Sequence, residues 1–176
     1  DEWWTPSAGA ATAILDASTG EEVASANVAG IDIPAAIDFA RTVGQASLGA
    51  LTIHERALKL KELAQFLNGR RDELYAVSAK SGATRGDSMV DIDGGIGVLF
   101  TFSSKGRREL PNSNVVVDGA PEVLSKDGSF IGQHIFTRLP GVAVQINAFN
   151  FPVWGLLEKF APAFIAGVPT IVKPAT

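Results

Sequence analysis

A strand, a helix and a second strand follow one another near the end of the chain, and this unit constrains the fold most. Val142–Asn147 and Pro169–Lys173 are short apolar runs typical of buried strands, and helical spacing fills residues 150–167 between them. Two strands joined by one helix pair in parallel, with a right-handed crossover. Doubly wound α/β sheets repeat this unit and bind ligands beyond the carboxyl ends of their strands, which fall here at 147–150 and 173–176.

The first hundred residues show mainly helical spacing after a short β-hairpin. Two β-prone runs, Thr12–Asp16 and Glu21–Val28, flank a turn that contains Gly20 and predict the hairpin. Helices are predicted from Pro34 to Gly44, from Thr52 to Gly69, over Asp72–Lys80 and over Gly86–Ser103. The predicted fold class is therefore α/β, with a helical N-terminal layer beside an incomplete doubly wound, Rossmann-like nucleotide-binding sheet.

The helix that begins after Thr52 has the clearest local signals. Thr52 and Glu55 have the spacing of a capping box, in which each residue binds the backbone N–H of the other. Helical spacing predicts a buried face of four apolar residues: Leu60, Leu63, Ala64 and Leu67. The same spacing predicts that three charged residues face water: Arg56, Lys59 and Glu62.

Turn residues and β-branched runs replace the helical spacing after Arg107. Val115–Asp118 and Phe130–Leu139 are predicted strands, and both faces of the second strand contain apolar side chains. A two-stranded element with an uncovered apolar edge tends to pair with another chain. We therefore expect residues 129–145, called the arm below, to contact a neighbouring subunit.

Composition excludes several classes of function. The 15 basic and 19 acidic residues give a net charge of −4, which disfavours nucleic acid and anionic membrane surfaces as partners. No apolar run reaches the roughly 18 residues of a membrane-spanning helix, and residues 1–10 lack signal-peptide features, so we expect a cytoplasmic protein. Because the chain has no cysteine and two histidines, it lacks a catalytic thiol and offers little material for a metal site.

Three glycines, Gly94, Gly95 and Gly97, faintly resemble a phosphate-binding loop. No predicted strand precedes them and a third glycine at the right spacing is absent, so helix packing is the preferred interpretation. His54 and His134 are interpreted as surface or hydrogen-bonded residues.

Seven short motifs follow one another in a characteristic order. The later four are Pro140-Gly141-Val142, the run from Ile146 to Pro152, Ala166-Gly167-Val168-Pro169 and Lys173-Pro174-Ala175-Thr176. The earlier three are Thr19-Gly20-Glu21, Glu55-Arg56-Ala57 and Lys80-Ser81-Gly82. Together they closely resemble the aldehyde dehydrogenase superfamily over nearly the whole chain. Phe149 stands in place of the usual tryptophan and Thr176 in place of the usual acid. With these two residues the chain most resembles the branch that oxidises CoA-linked semialdehydes in aerobic phenylacetate or benzoate degradation.

The resemblance implies NAD(P)-dependent oxidation of an aldehyde to a carboxylic acid through a cysteine thiohemiacetal. It assigns Asn150 as the catalytic donor that stabilises the oxyanion. It assigns cofactor binding to six residues: Ile146, Asn147, Ala148, Phe149, Lys173 and Thr176. An asparagine before Phe-Pro at a helix start is also an ordinary N-cap, and the two roles can coexist. Thr176 replaces an acid that would repel a 2′-phosphate, so NADP is the expected cofactor, with NAD as the alternative.

The resemblance also implies that this chain is the N-terminal part of a larger enzyme and is inactive alone, because it lacks the thiol. Residues 1–128 would form the hairpin and helical layer, 129–145 the strands of the oligomerisation arm, and 146–176 the first strand–helix–strand, with the catalytic domain absent. We expect an aldehyde substrate and a homodimer or dimer of dimers formed through the arm. The alternative is a stand-alone nucleotide-binding or oligomerisation module without catalysis, and the residues that follow Thr176 in the parent distinguish the two.

Overall fold

The computed structural model describes residues 4–6 and 9–174 of the chain. Over these residues a β-hairpin comes first, followed by helices, an antiparallel strand pair and a parallel strand–helix–strand unit. The hairpin pairs β1 (Thr12–Leu15) with β2 (Glu22–Ala26), as predicted. The carboxylate of Asp16 accepts two backbone N–H groups of the turn, at 2.9 and 3.1 Å, and these hydrogen bonds lower the pKa of Asp16.

The first helical segment is longer than predicted. It consists of α1 (Ile33–Phe39), a π-helical turn over Ala40–Gly44 and α2 (Gln45–Gly49). The predicted stop at Gly44 is wrong, because the helical backbone continues through this residue. Gly44 instead allows close packing, since a Cβ there would lie 3.0 Å from the Cβ of Pro169.

Three longer helices follow, and they agree with the sequence predictions. They are α3 (Ile53–Gly69), α4 (Arg71–Lys80) and α5 (Arg85–Arg108). The capping box at the start of α3 is confirmed, because the N–H of Thr52 donates to the Glu55 carboxylate at 2.7 Å and the N–H of Glu55 donates to the Thr52 hydroxyl at 3.3 Å. Among the helices of the described residues, none has the length and apolar character needed to cross a membrane.

The hydrophobic core lies where α3, α5 and α6 (Pro152–Ile165) meet. Its most deeply buried apolar side chains come from all three helices: Ala57, Leu60, Ala64, Ile92, Leu99 and Ala161. The predicted burial of Leu60 and Ala64 is confirmed, and Leu63 and Leu67 pack at the edge of this core. The helical layer and the C-terminal strand–helix–strand unit therefore share one core.

Arg56 is buried, so the prediction that it faces water is wrong. Its side chain is 2% exposed. The guanidinium donates to the backbone carbonyl of Ile165 at 2.8 Å, to the amide oxygen of Asn114 at 3.1 Å and to two carbonyls at the end of α2 and in the turn that follows. Burial and the nearby charge of Arg138 lower the pKa of Arg56. This side chain joins α2, α3, α6 and the segment before β3, which explains its burial.

An antiparallel pair, β3 (Val116–Val123) and β4 (Ile131–Phe136), precedes the parallel unit. The predicted arm covers residues 129–145, so the strand that pairs with β4 comes from outside it. Two cross-strand pairs are apolar and exposed, Val117 with Ile135 and Val123 with Ile131, and each side chain is 55–64% exposed. These four residues are called the arm pairs below.

The predicted parallel unit is confirmed and consists of β5 (Ala143–Ile146), α6 and β6 (Thr170–Lys173). Gly167, with φ of 78°, turns the chain from α6 into β6. Side chains along β5 alternate in burial, since Gln145 is buried and Val144 is 58% exposed. One face of the strand pair is therefore covered and the other is open.

Candidate active site

The carboxyl edge of the β5–β6 pair brings several predicted cofactor residues together. Ile146 lies opposite Lys173 in the parallel register, and the N–H of Asn147 donates to the carbonyl of Lys173 at 3.2 Å. The side chains of Ile146 and Lys173 are both exposed. Thr176, also predicted to bind the cofactor, lies outside the described residues. The edge therefore presents an apolar side chain beside an ammonium group.

Asn147 differs from the other residues predicted at this edge, because its side chain is buried. It is 6% exposed, and neither of its amide atoms has a hydrogen-bond partner among the described residues. The alternation along the strand puts it on the same face as Gln145, whose amide oxygen is also buried and unpaired. Only the backbone of Asn147 lies at the open edge, whereas Ala148 and Phe149 are exposed there.

Asn150 lines a cavity on the side of the hairpin. The cavity has a volume of ≈ 640 Å³. Three parts of the chain line it: the β1–β2 hairpin, the turn from α4 to α5, and the segment Phe149–Phe151. Lys80 and Asp87 contribute charges of opposite sign, and Leu15 contributes apolar surface. An exposed amide, charged groups and apolar surface around one cavity suit a small organic molecule with polar substituents.

The side chain that caps α6 comes from α5 and not from Asn150. Phe151 is the N-cap residue of α6, and its side chain makes no capping hydrogen bond. The carboxylate of Asp91, which is 4% exposed, accepts the N–H of Val153 at 3.1 Å and that of Trp154 at 2.7 Å. The hypothesis that Asn150 is the N-cap is therefore wrong. Asn150 precedes the N-cap residue, and Asp91 of α5 accepts the N–H groups at the start of α6.

Two glycines of α5 let α6 approach closely. A Cβ on Gly95 would lie 3.1 Å from the backbone N and Cα of Trp154, and a Cβ on Gly94 would overlap the indole ring. The preferred interpretation of these glycines, helix packing, agrees with this contact. Sequence reasoning missed Asp91, although an aspartate one helical turn before Gly95 on an apolar helix was an available signal.

An α/β protein of the doubly wound type is the class defined by the parallel unit and its open carboxyl edge. The profile of the "Aldehyde dehydrogenase family" matches residues 4–176. The chain belongs to the aldehyde dehydrogenase family.

Relatives and solved structures agree with this membership. The chain is 45% identical over 174 residues to "3,4-dehydroadipyl-CoA semialdehyde dehydrogenase" of Aromatoleum evansii, covering 98% of this chain and 34% of the relative. It is 26% identical over 183 residues to "Aspartate-semialdehyde dehydrogenase (Non-phosphorylating)" of Halomonas elongata, covering 99% of this chain and 34% of the relative. The chain thus spans about a third of the length of these relatives.

The fold is also similar to the crystal structure of an indole-3-acetaldehyde dehydrogenase in apo form. The TM-score is 0.79 at 24% identity, with 98% of this chain and 38% of the other chain covered. At this identity the likeness concerns the fold, and it identifies the architecture as a partial α/β fold of aldehyde dehydrogenases.

Proposed function

We propose that the full-length protein containing this chain is an NAD(P)-dependent aldehyde dehydrogenase that oxidises a CoA-linked semialdehyde to a carboxylic acid. The observation that carries the proposal is the exposed Asn150, which lines the cavity and follows directly on the carboxyl edge of the β5–β6 pair. The name of the 45% identical relative supports the substrate class.

In this proposal the amide of Asn150 stabilises negative charge on the aldehyde oxygen. A cysteine thiolate, supplied from outside these 176 residues, adds to the aldehyde carbon, and the carbonyl π electrons move to the oxygen. The NH₂ group of Asn150 donates to that oxyanion. A preorganised neutral donor of this kind is worth about 2.7–4 kcal/mol of transition-state stabilisation. Because Asp91 caps α6, the helix does not need the Asn150 side chain.

Lys173 and Ile146 fit a pyridine nucleotide at the carboxyl edge. The nucleotide, when bound, accepts a hydride from the substrate. The exposed ammonium of Lys173 would donate to a ribose hydroxyl, and Ile146 would offer apolar surface beside it. None of the ion pairs within residues 4–6 and 9–174 involves Lys173, so its charge is available for a ligand.

An activity assay on the purified full-length protein tests the proposed function. The protein is assayed with NADP⁺ or NAD⁺ against a CoA-linked semialdehyde and against the same semialdehyde without CoA, following the absorbance of the reduced nicotinamide. We expect the higher kcat/KM with the CoA-linked substrate. A higher kcat/KM with the unlinked aldehyde would refute the proposed substrate class. If neither aldehyde is oxidised, the proposed aldehyde dehydrogenase activity is wrong.

The cofactor preference is expected to depend on Thr176. A glutamate at this position would accept a bond from the ribose 2′-hydroxyl and repel a 2′-phosphate, whereas threonine does not repel it. We therefore expect the wild type to prefer NADP and Thr176→Glu to lower kcat/KM for NADP by about tenfold or more. Steady-state kinetics with both nucleotides check this, with Thr176→Val as a neutral control. Equal or better kcat/KM with NAD in the wild type contradicts the prediction.

The arm is expected to join subunits into a homodimer or a dimer of dimers. Ile131 and Ile135 belong to the arm pairs and are each 57% exposed. Lysine at both positions would bury two unpaired charges at the subunit contact, so the dissociation constant should rise by roughly 10²-fold or more. Light scattering on the full-length protein, over a range of concentrations, measures the change.

Phe66→Lys is the matched control for the arm, because Phe66 is also 57% exposed but lies on α3. This variant should assemble like the wild type. A monomeric wild type, or a double mutant that assembles unchanged, would show that the subunits meet elsewhere.

A further inference from the structure

We propose that Asp91 is a positioning residue, which fixes the start of α6 and thereby holds the Asn150 amide in place for catalysis. The inference rests on the proposed function, because the position of Asn150 matters only if its amide takes part in the reaction.

The hydrogen bonds of Asp91 satisfy a need that α6 cannot meet itself. The first N–H groups of any helix lack acceptors within the helix, and the N-cap Phe151 offers no side-chain oxygen. Oδ1 of Asp91 accepts the N–H of Val153 at 3.1 Å and of Trp154 at 2.7 Å, and Oδ2 lies 3.2 Å from the nitrogen of Val153. Because Asp91 is 4% exposed, water does not compete strongly for these bonds. A carboxylate at a helix N-terminus also interacts favourably with the helix dipole.

A second contact restrains the same point from the same helix. Gly95 lies one helical turn after Asp91, and a Cβ on it would come within 3.1 Å of the backbone of Trp154. The start of α6 is therefore held against α5 by a carboxylate and by a surface that has no side chain. Asp91, Gly94 and Gly95 together are called the socket below.

The link from the socket to Asn150 is short and stiff. Two residues separate Asn150 from Val153, and one of them, Pro152, restricts the backbone between them. On the other side of Asn150, the N–H of Asn147 is bound to the carbonyl of Lys173. Asn150 thus lies between two anchors, the sheet edge and the socket. Loss of the socket anchor would let the amide move relative to the sheet edge.

The first test is Asp91→Ala in the full-length protein. A displacement of a catalytic group by about 1 Å lowers a rate by roughly 10²-fold, and we expect kcat to fall by an amount of that order while KM for the nucleotide stays unchanged. Asp91→Asn keeps an oxygen that can accept both N–H groups and should recover most of kcat. An unchanged kcat in Asp91→Ala would overturn the proposal.

A double-mutant cycle with Asn150→Ala separates positioning from other effects. If Asp91 acts through Asn150, Asp91→Ala will cause no further loss of kcat once the Asn150 amide is absent. If the two losses multiply, the positioning role is wrong although the proposed function stands. If Asn150→Ala alone leaves kcat unchanged, the proposed function fails first.

Asp93→Ala is the matched control on α5. Its carboxylate accepts the Tyr75 hydroxyl at 2.8 Å and lies 3.5 Å from the guanidinium of Arg71, and both of these partners belong to α4. This variant should keep kcat even if it lowers Tm. If Asp91→Ala does not fold, Gly95→Ala disturbs the same anchor by pressing on the Trp154 backbone and should lower kcat only when Asn150 is present. A wild-type kcat in Gly95→Ala would then overturn the inference.

Discussion

Replacing Asn150 by alanine in the full-length protein is expected to lower kcat by about 10²–10³-fold, the loss typical of removing one oxyanion donor. The physical reason is that the amide binds the negative oxygen of the transition state more strongly than the neutral carbonyl of the bound aldehyde. KM for the aldehyde should therefore change much less than kcat. Steady-state kinetics under saturating nucleotide measure both quantities.

Two further variants sharpen this test. Asn150→Asp has nearly the same shape but no NH₂ donor, and its negative charge repels the oxyanion, so its loss should be at least as large. Asn68→Ala removes an exposed asparagine at the end of α3 and should leave kcat unchanged. If Asn150→Ala loses less than tenfold, the oxyanion role of this side chain is wrong.

Replacing Arg56 by alanine is expected to lower the free energy of unfolding by about 3–5 kcal/mol, because one buried and three partly buried oxygens lose their donor at once. The acceptors that lose it include the carbonyl of Ile165 and the amide oxygen of Asn114. Urea unfolding of the full-length protein, followed by tryptophan fluorescence, measures the shift of the midpoint.

Arg56→Lys and Arg70→Ala are the controls for this prediction. Lysine retains a charge and can reach one or two of the oxygens. The urea midpoint of Arg56→Lys should therefore lie between those of the wild type and Arg56→Ala. Arg70 is exposed and pairs with Glu73 at 2.6 Å, and its removal should have a far smaller effect. If Arg56→Ala and Arg70→Ala unfold alike, the bonds of Arg56 do not stabilise the fold.

Local signals predicted much of this structure from the sequence. The capping box of Thr52 and Glu55 involves neighbours three residues apart, and its geometry follows from helix formation alone. The parallel pairing of β5 with β6 was also predictable, because one helix between two strands allows few arrangements.

Features that depend on a distant partner were not predictable in the same way. Helical spacing placed Arg56 on the polar face of α3, but its acceptors lie in α2, in α6 and before β3. Likewise, the position of Asn150 before Phe-Pro indicates a local N-cap for α6, whereas Asp91 supplies the cap from α5. Both errors arose because hydrogen-bond partners far apart in sequence are set by packing and leave no fixed spacing.

The distance in sequence between the socket and its helix also orders events during protein synthesis. Asp91 precedes Val153 by 62 residues. At the usual rates of translation, about 5–20 residues per second, Asp91 leaves the ribosome roughly 3–12 s before Val153. Helix α3 is complete by then, so α3 and α5 can pair while the Asp91 carboxylate is still hydrated. The loop that contains Asn150 is therefore made after Asp91, and it is fixed by a surface that already exists.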